Sequence, residues 1–311
     1  MSAVGIAIVG FGKIAQDQHV PSIAANPRFT LAATVSRGGN APGGLPSFST
    51  IQEAVAAVPE IKAVAICTPP SVRYDIARDC IGLGLHTLLE KPPGVTLGEV
   101  EELARRAEAT GVTLFTTWHA QDNPAVPTAQ TLLAGRRVTR MKIYWHEDVR
   151  KWHPGQAWIQ QAGGFGVFDP GINALSIATR IFPGTLFVRD SELFFPENWQ
   201  TPIAALLKLG EPEGKAEIIA DFDWRHSGGE AWTIDIETED GDRFQLRDGG
   251  ARMTHNGEEV ASPGEGEYPA LYRQFGELVD GGRSHVDLAP LRLTADAFLL
   301  GRRTVVERFE A

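Results

Sequence analysis

The chain has 311 residues, 43% of them hydrophobic, and a formal net charge of −10 at neutral pH. That length can bury a full core and suggests about two domains, while the acidic balance argues against nucleic acid and anionic membranes as partners. No apolar run approaches the roughly 20 residues of a membrane span, the N-terminus enters a strand without a basic leader, and Cys67 and Cys80 lack metal spacing, so a soluble cytoplasmic protein with inert core thiols is expected.

Val4 to Val9 is a β-branched and small apolar run that reads as a strand, and Gly10-Phe11-Gly12-Lys13-Ile14-Ala15 follows it directly. This is G-x-G-x-x-A in the context of strand, turn and helix: Gly10 permits the tight turn, Gly12 lets backbone N–H groups approach a pyrophosphate, and Ala15 allows close helix packing. Leu31 to Val35 is a second strand, ending in Ser36-Arg37-Gly38-Gly39. A site that insists on NAD normally places a carboxylate there for the ribose 2′-hydroxyl. Ser36 can bond a hydroxyl or a phosphate, and Arg37 can stack on adenine or clamp a 2′-phosphate. NADP is therefore expected to be accepted at least as well as NAD.

Ile51 to Val58 has a helical pattern, and Ala63 to Cys67 reads as a buried strand that stops at Thr68-Pro69-Pro70, where the ribose and nicotinamide are expected. Ser71 to Leu85 reads as a helix. It leads to the apolar strand at Leu88-Leu89 and then to Glu90-Lys91-Pro92-Pro93, whose prolines hold Lys91 extended at a sheet edge where ligands bind. Leu97 to Ala109 forms another helix with Gly111 as its stop, and the strand Val112 to Thr117 delivers Trp118 and His119 to the same edge.

Past this point the pattern changes. After a helical stretch from Asn123 to Ala134, strands dominate: Val138 to Glu147, Leu186 to Phe195, Ile203 to Leu209, Lys215 to Trp224 and Ala231 to Thr238. Ile218, Ala220 and Phe222 alternate with Glu217, Asp221 and Asp223, the period-two signature of an antiparallel sheet with one covered face. Asp240-Gly241 and Asn256-Gly257 read as hairpin turns, and helices at Tyr268 to Val279 and Leu291 to Phe309 close the chain. The boundary is placed near residue 121, giving a dinucleotide-binding domain over 1–121 and a substrate-binding domain over 122–311.

The richest polar region of the second half runs through Glu147, Trp152, His153 and the glycine-rich stretch before Asp169 and Asn173. Asp169 and Asn173 are four apart and share a face if a helix starts there; the alternative makes Asp169 a helix cap. The glycines let backbone come close to something. Indoles mixed with hydroxyl-binding groups suit a carbohydrate, so His119, Glu147, Trp152 and His153 are candidates for its hydroxyls.

Gly10-Phe11-Gly12, His19-x-Pro21, Thr68-Pro69-Pro70, Glu90-Lys91-Pro92 and the Asp169 segment together resemble the glucose-fructose oxidoreductase and inositol dehydrogenase family over essentially the whole chain. The resemblance implies an α/β protein: an N-terminal Rossmann domain with a parallel sheet, and a C-terminal α/β domain with a large, predominantly antiparallel open sheet. It implies that Lys91 and Asp169 face the nicotinamide, and Glu90 and Lys91 are expected among the cofactor-binding residues. It also implies oxidation of an aldopyranose, L-arabinose or D-galactose, at its anomeric carbon to the lactone, the first step of a non-phosphorylative route. The family's catalytic histidine four residues after the aspartate is Asn173 here, and an amide cannot accept a proton. The expected roles are Asp169 as proton acceptor, Lys91 polarising the anomeric hydroxyl and Asn173 orienting it. A cyclitol dehydrogenase, a glycosidase using bound NAD and a non-catalytic dinucleotide-binding sugar sensor are the rival readings. Family members pair through the open sheet face, but Glu217, Asp221, Asp223, Asp235 and Glu237 make that face strongly charged for a homodimer.

Overall fold

An apolar strand without a polar face needs cover on both sides. Val4–Val9 accordingly forms β1 at the middle of a parallel sheet. The computed structural model, which describes residues 3–39 and 41–310, adds β2 (Phe29–Val35), β3 (Ser47–Phe48), β4 (Ile61–Ile66), β5 (His86–Leu89) and β6 (Leu114–Thr116). Their order is β3-β2-β1-β4-β5-β6, and every neighbouring pair is parallel. The order reverses between β1 and β4, which opens a crevice beyond the carboxyl ends of those two strands.

One face of this sheet packs Ala7, Val9, Val64 and Ile66 against the helices Ile51–Ala57, Pro70–Gly82 and Leu97–Thr110. Thr50 and Thr96 start the first and last of these through capping boxes with Glu53 and Glu99. The other face, with Ile6, Ile8, Ala63, Ala65 and Leu88, is covered by Ile23 and by Tyr268, Leu271, Tyr272 and Phe275 of the helix Glu267–Asp280. The first compact unit is therefore Met1–His119 together with Gly266–Leu288, and the second is Ala120–Glu265 with Ala289–Ala311. A single cut near residue 121 misses this return of the chain. The short helix Val20–Ala25 is too small to cover that face alone, so a distant helix with an i, i+3, i+4, i+7 apolar stripe completes it.

The second unit is a nine-stranded sheet of β7 (Val138–His146), β8 (Phe187–Pro196), β9 (Ala204–Gly210), β10 (Glu217–Asp223), β11 (Ala231–Thr238), β12 (Arg243–Arg247), β13 (Arg252–His255), β14 (Glu258–Val260) and β15 (Arg302–Val306). The order is β14-β13-β12-β11-β7-β10-β9-β8-β15, and only β7–β10 and β8–β15 are parallel pairs. Ile218, Ala220 and Phe222 are buried on its covered face, where the Phe168 and Phe222 rings meet edge to face at 5.9 Å. The Asn256-Gly257 turn has φ of 52° and 89°, as a two-residue hairpin demands.

Two expectations fail at element ends. The last helix is Ala289–Leu300 rather than a run to Phe309; a Cβ on Gly301 would lie 2.5 Å from Leu193, and the β-branched stretch that follows pairs with β8 as β15. Cys67 lies just beyond β4, half-buried, whereas Cys80 is a core thiol that burial pushes up to about 12. No helix among the described residues is long and apolar enough to cross a membrane.

Candidate active site

The first unit carries a cavity of about 700 Å³ at the β1/β4 reversal, lined by Gly10, Phe11, Gly12, Ser36, Arg37, Thr68 and Pro69 among others. Gly10 has φ of +89°, and a Cβ there would sit 2.8 Å from Thr68, so the two loops abut only because side-chain atoms are missing. At Gly12 a Cβ would meet nothing within 4 Å, so the backbone faces open space. The Oγ of Ser36 and the Oγ1 of Thr68 are buried without a hydrogen-bond partner. Two unmatched hydroxyls, a glycine cradle and the helical turn that opens at Ala15 fit a dinucleotide, with the hydroxyls on its ribose or phosphate groups. Lys13 pairs with Asp17 and Ile14 is exposed; neither lines the cavity. Pro70 opens the helix Pro70–Gly82, where a proline is favoured.

The Glu90-Lys91 segment is gripped from several sides. Glu90 is 4% exposed; its Oε1 accepts from His19 Nε2 at 3.0 Å and from the Tyr268 hydroxyl at 2.7 Å, and its Oε2 accepts the Lys91 backbone N–H at 2.8 Å. His19 Nδ1 meets the Tyr272 hydroxyl at 2.7 Å. The buried guanidinium of Arg73 donates to the carbonyls of Thr68, Glu90 (2.5 Å) and Pro92, joining both proline turns. The Lys91–Pro92 peptide is cis. His119 Nδ1 lies 3.0 Å from Glu267 Oε1, and its ring stacks on Tyr268 at 5.5 Å. Burial opposes charge on His119, but Glu267 outweighs it and raises its pKa.

Burial likewise opposes charge on His19 and Glu90, but neighbours outweigh it: Cys67 and Tyr272, with the Glu90 hydrogen bond, hold the imidazole pKa well above 6.5, and hydrogen bonds and charge from His19, with the Tyr268 hydroxyl, hold the Glu90 carboxyl below the usual range. The raised histidine contributes stability that is complete below pH 6.5 and declines as pH climbs toward its folded value. The depressed carboxylate contributes above pH 4.5 and loses that contribution as pH falls. Thermal melts are expected to show a plateau between these limits, and His19→Gln to flatten the alkaline decline. An unchanged alkaline slope in the variant would show that His19 is not the group whose titration sets it.

In the second unit, Trp145 and Trp232 face each other across β7 and β11 and stack at 5.7 Å, and Trp152, 43% exposed, extends the group at 5.5 Å from Trp232. Glu147, just beyond β7, is buried; its Oε1 accepts from Trp224 Nε1 at 3.0 Å and its Oε2 from Trp232 Nε1 at 2.9 Å. Expected to meet substrate hydroxyls, this carboxylate first of all fixes two indoles. Trp152 Nε1 donates to Glu230 at 3.2 Å, beside the Lys151–Glu230 pair.

Asp169 and Asn173 both lie in the helix Phe168–Ile181, one turn apart, Asp169 buried and Asn173 half-buried. The N-cap is Val167, without a side-chain bond, so Asp169 is not the cap. The glycines before it admit the protein's own backbone: a Cβ on Gly164 would lie 2.5 Å from the Trp158 carbonyl and one on Gly166 would strike that of Pro202; two residues after Asp169, a Cβ on Gly171 would reach the Phe222 ring at 2.7 Å. His153, which follows the short helix Val149–Trp152, places Nε2 3.4 Å from Asp169 Oδ2 and its ring 5.1 Å from Trp224. Sequence reasoning passed over Arg73, Tyr268, Tyr272, Trp224 and Trp232 as site residues, because their partners are far away in the chain.

A nucleotide cavity at a parallel sheet's reversal, and a second unit with a carboxylate, an imidazole and a wall of indoles, define a dinucleotide-dependent oxidoreductase. The chain belongs to the GFO/IDH/MocA oxidoreductase family with an NAD-binding Rossmann fold, which it matches over residues 4–118. It is 44% identical over 309 residues to galactose 1-dehydrogenase of Pseudomonas fluorescens, covering 99% of each chain. The crystal structure of a D-galactose-1-dehydrogenase protein from Rhizobium etli superimposes with a TM-score of 0.94 at 48% identity, covering 100% of this chain and 99% of that one. A 3-ketoreductase from Actinomadura kijaniata, solved with NADP, shares the fold (TM-score 0.81, 16% identity, 98% and 99% covered).

Proposed function

We propose that the protein is an NAD(P)-dependent aldose 1-dehydrogenase that oxidises D-galactose, and also L-arabinose, at the anomeric carbon to the aldonolactone. The observation that carries this reading is the indole cluster organised by Glu147 in the same unit as the Asp169–His153 pair, a stacking surface for sugar C–H faces beside proton-accepting groups. The full-length likeness to galactose 1-dehydrogenase supports the choice of sugar. L-Arabinose presents the same ring-hydroxyl arrangement without the hydroxymethyl group.

A bound nicotinamide supplies the redox chemistry by taking the anomeric hydride. Lys91 is assigned to polarise the anomeric hydroxyl, Asp169 to receive its proton and Asn173 to orient it; His119, Trp152 and His153 are assigned to the remaining hydroxyls. A panel of aldoses assayed in parallel with NADP and NAD tests the proposal. Galactose and arabinose should reduce cofactor fastest; turnover of cyclitols but not aldoses would overturn it.

For the cofactor, Ser36 and the exposed Arg37 at the end of β2 favour a 2′-phosphate, so NADP is proposed to serve at least as well as NAD. Arg37→Ala is expected to raise KM for NADP about tenfold or more while leaving KM for NAD within about twofold, the loss of a charge-assisted contact. Equal effects on both cofactors would show that Arg37 does not read the phosphate.

A further inference from the structure

We infer that the far end of the dinucleotide cavity reads the adenine base, with Asp79 accepting from its exocyclic amine and Gln52 donating to the ring nitrogen beside it. This deepens the assignment of the cavity to NAD(P) and rests on it. In NADP the base and the 2′-phosphate hang on one ribose, so a phosphate held by Ser36 and Arg37 leaves the base within reach of the neighbouring wall. Beyond the glycine turn and the ends of β2 and β4, that wall consists of residues 49–52 and one stripe of the helix Pro70–Gly82: Val72, Ile76 and Asp79. Positions 72, 76 and 79 are spaced i, i+4 and i+7, which puts them along one helix face. Val72 is 48% exposed and Ile76 half-buried, so the stripe opens with an apolar surface on which a flat base can lie.

The polar end of the stripe is organised. Asp79 Oδ1 accepts from Arg78 Nε at 3.2 Å and from its Nη2 at 3.0 Å, which sets the turn of the carboxylate, and Oδ2 accepts from Gln52 Nε2 at 3.3 Å. A carboxylate oxygen carries two lone pairs and an amide nitrogen two hydrogens, so the Gln52 contact uses half of each. The second lone pair of Oδ2 and the second Nε2 hydrogen stand side by side, an acceptor next to a donor, on two residues that both line the cavity. Adenine carries the complement, an amine donor at C6 flanked by ring-nitrogen acceptors. Hypoxanthine reverses it: an oxo group replaces the amine and N1 carries a hydrogen, so a carboxylate lone pair would meet an oxygen lone pair. Because the Asp79 side chain is 40% exposed, water competes for these groups, and the expected discrimination is about tenfold rather than the roughly ten-thousandfold of a sealed polar pocket.

The test is direct binding, followed by calorimetry on the full-length protein without sugar. NADP is compared with its hypoxanthine analogue, which differs at C6 and N1 of the base. Wild type should bind NADP about tenfold or more tightly than the analogue. Asp79→Asn supplies an amide that can donate to the oxo group, so it should weaken NADP about fivefold, hold or improve the analogue, and bring the two within about twofold. Gln52→Ala, on a different helix and at an exposed position, should narrow the preference in the same direction. Arg37→Ala is the control: it should weaken both dinucleotides together and leave their ratio intact, since both carry the 2′-phosphate. Equal affinity of wild type for the two, or a ratio unchanged in both Asp79→Asn and Gln52→Ala, would overturn the inference while leaving the cavity a dinucleotide site. Failure of wild type to bind either would overturn the cofactor reading and this inference with it.

Discussion

Replacing Lys91 by alanine is expected to lower kcat about a hundredfold, roughly 2.7 kcal/mol of transition-state stabilisation, with NADP affinity little changed. The reasoning starts from how the segment is held. Glu90 takes the Lys91 backbone N–H, and Arg73 takes the carbonyls on both sides of Lys91, those of Glu90 and Pro92. Its backbone is thus fixed just beyond the carboxyl end of β5, so in the proposed role little backbone reorganisation would accompany the development of negative charge on the substrate oxygen. Arginine should not substitute well: its planar fork is wider than a compact ammonium and its donors diverge. Steady-state kinetics with galactose, alongside dinucleotide binding to show that the first unit is intact, give the answer. A Lys91→Ala enzyme within about tenfold of wild type, less than roughly 1.4 kcal/mol, would remove the lysine from the chemistry.

What the sequence conveyed was whatever its neighbours along the chain determine. The strand before Gly10, the turn itself, the prolines after Thr68 and Lys91, and the alternation along β10 and β11 are local patterns, and the structure has them where the residues place them. Contacts between distant segments were not readable. The stripe Tyr268, Leu271, Tyr272 and Phe275 shows that a helix needs a partner face, but not that the partner is the parallel sheet more than 150 residues earlier. His19 stands in a helix motif whose chemistry is defined by Glu90 and Tyr272, 71 and 253 positions away. Glu147 looked like a hydroxyl binder because the indoles that bond its oxygens stand 77 and 85 residues later in the chain. Glycines on either side of Asp169 carry the same lesson: a small residue records that something comes close, and here that something is the protein's own backbone before it and the Phe222 ring after it.

Asp169→Asn is expected to have the larger effect, a fall in kcat of about a thousandfold, because the amide keeps the shape of the carboxylate and removes its ability to take a proton. The substitution separates acid–base chemistry from packing. Asp169 sits in the first turn of its helix, where a negative charge is mildly favoured, so the variant should lose well under 1 kcal/mol of stability from that source and fold normally. The enzyme should therefore not regain activity at any pH, since the amide takes no proton under any condition in which the protein folds. If Lys91 and Asp169 act on one hydroxyl, the double variant Lys91→Ala/Asp169→Asn will be little slower than Asp169→Asn alone, as groups working as a unit are far from additive. Losses that multiply, to about a hundred-thousandfold, would mean the two side chains serve separate steps.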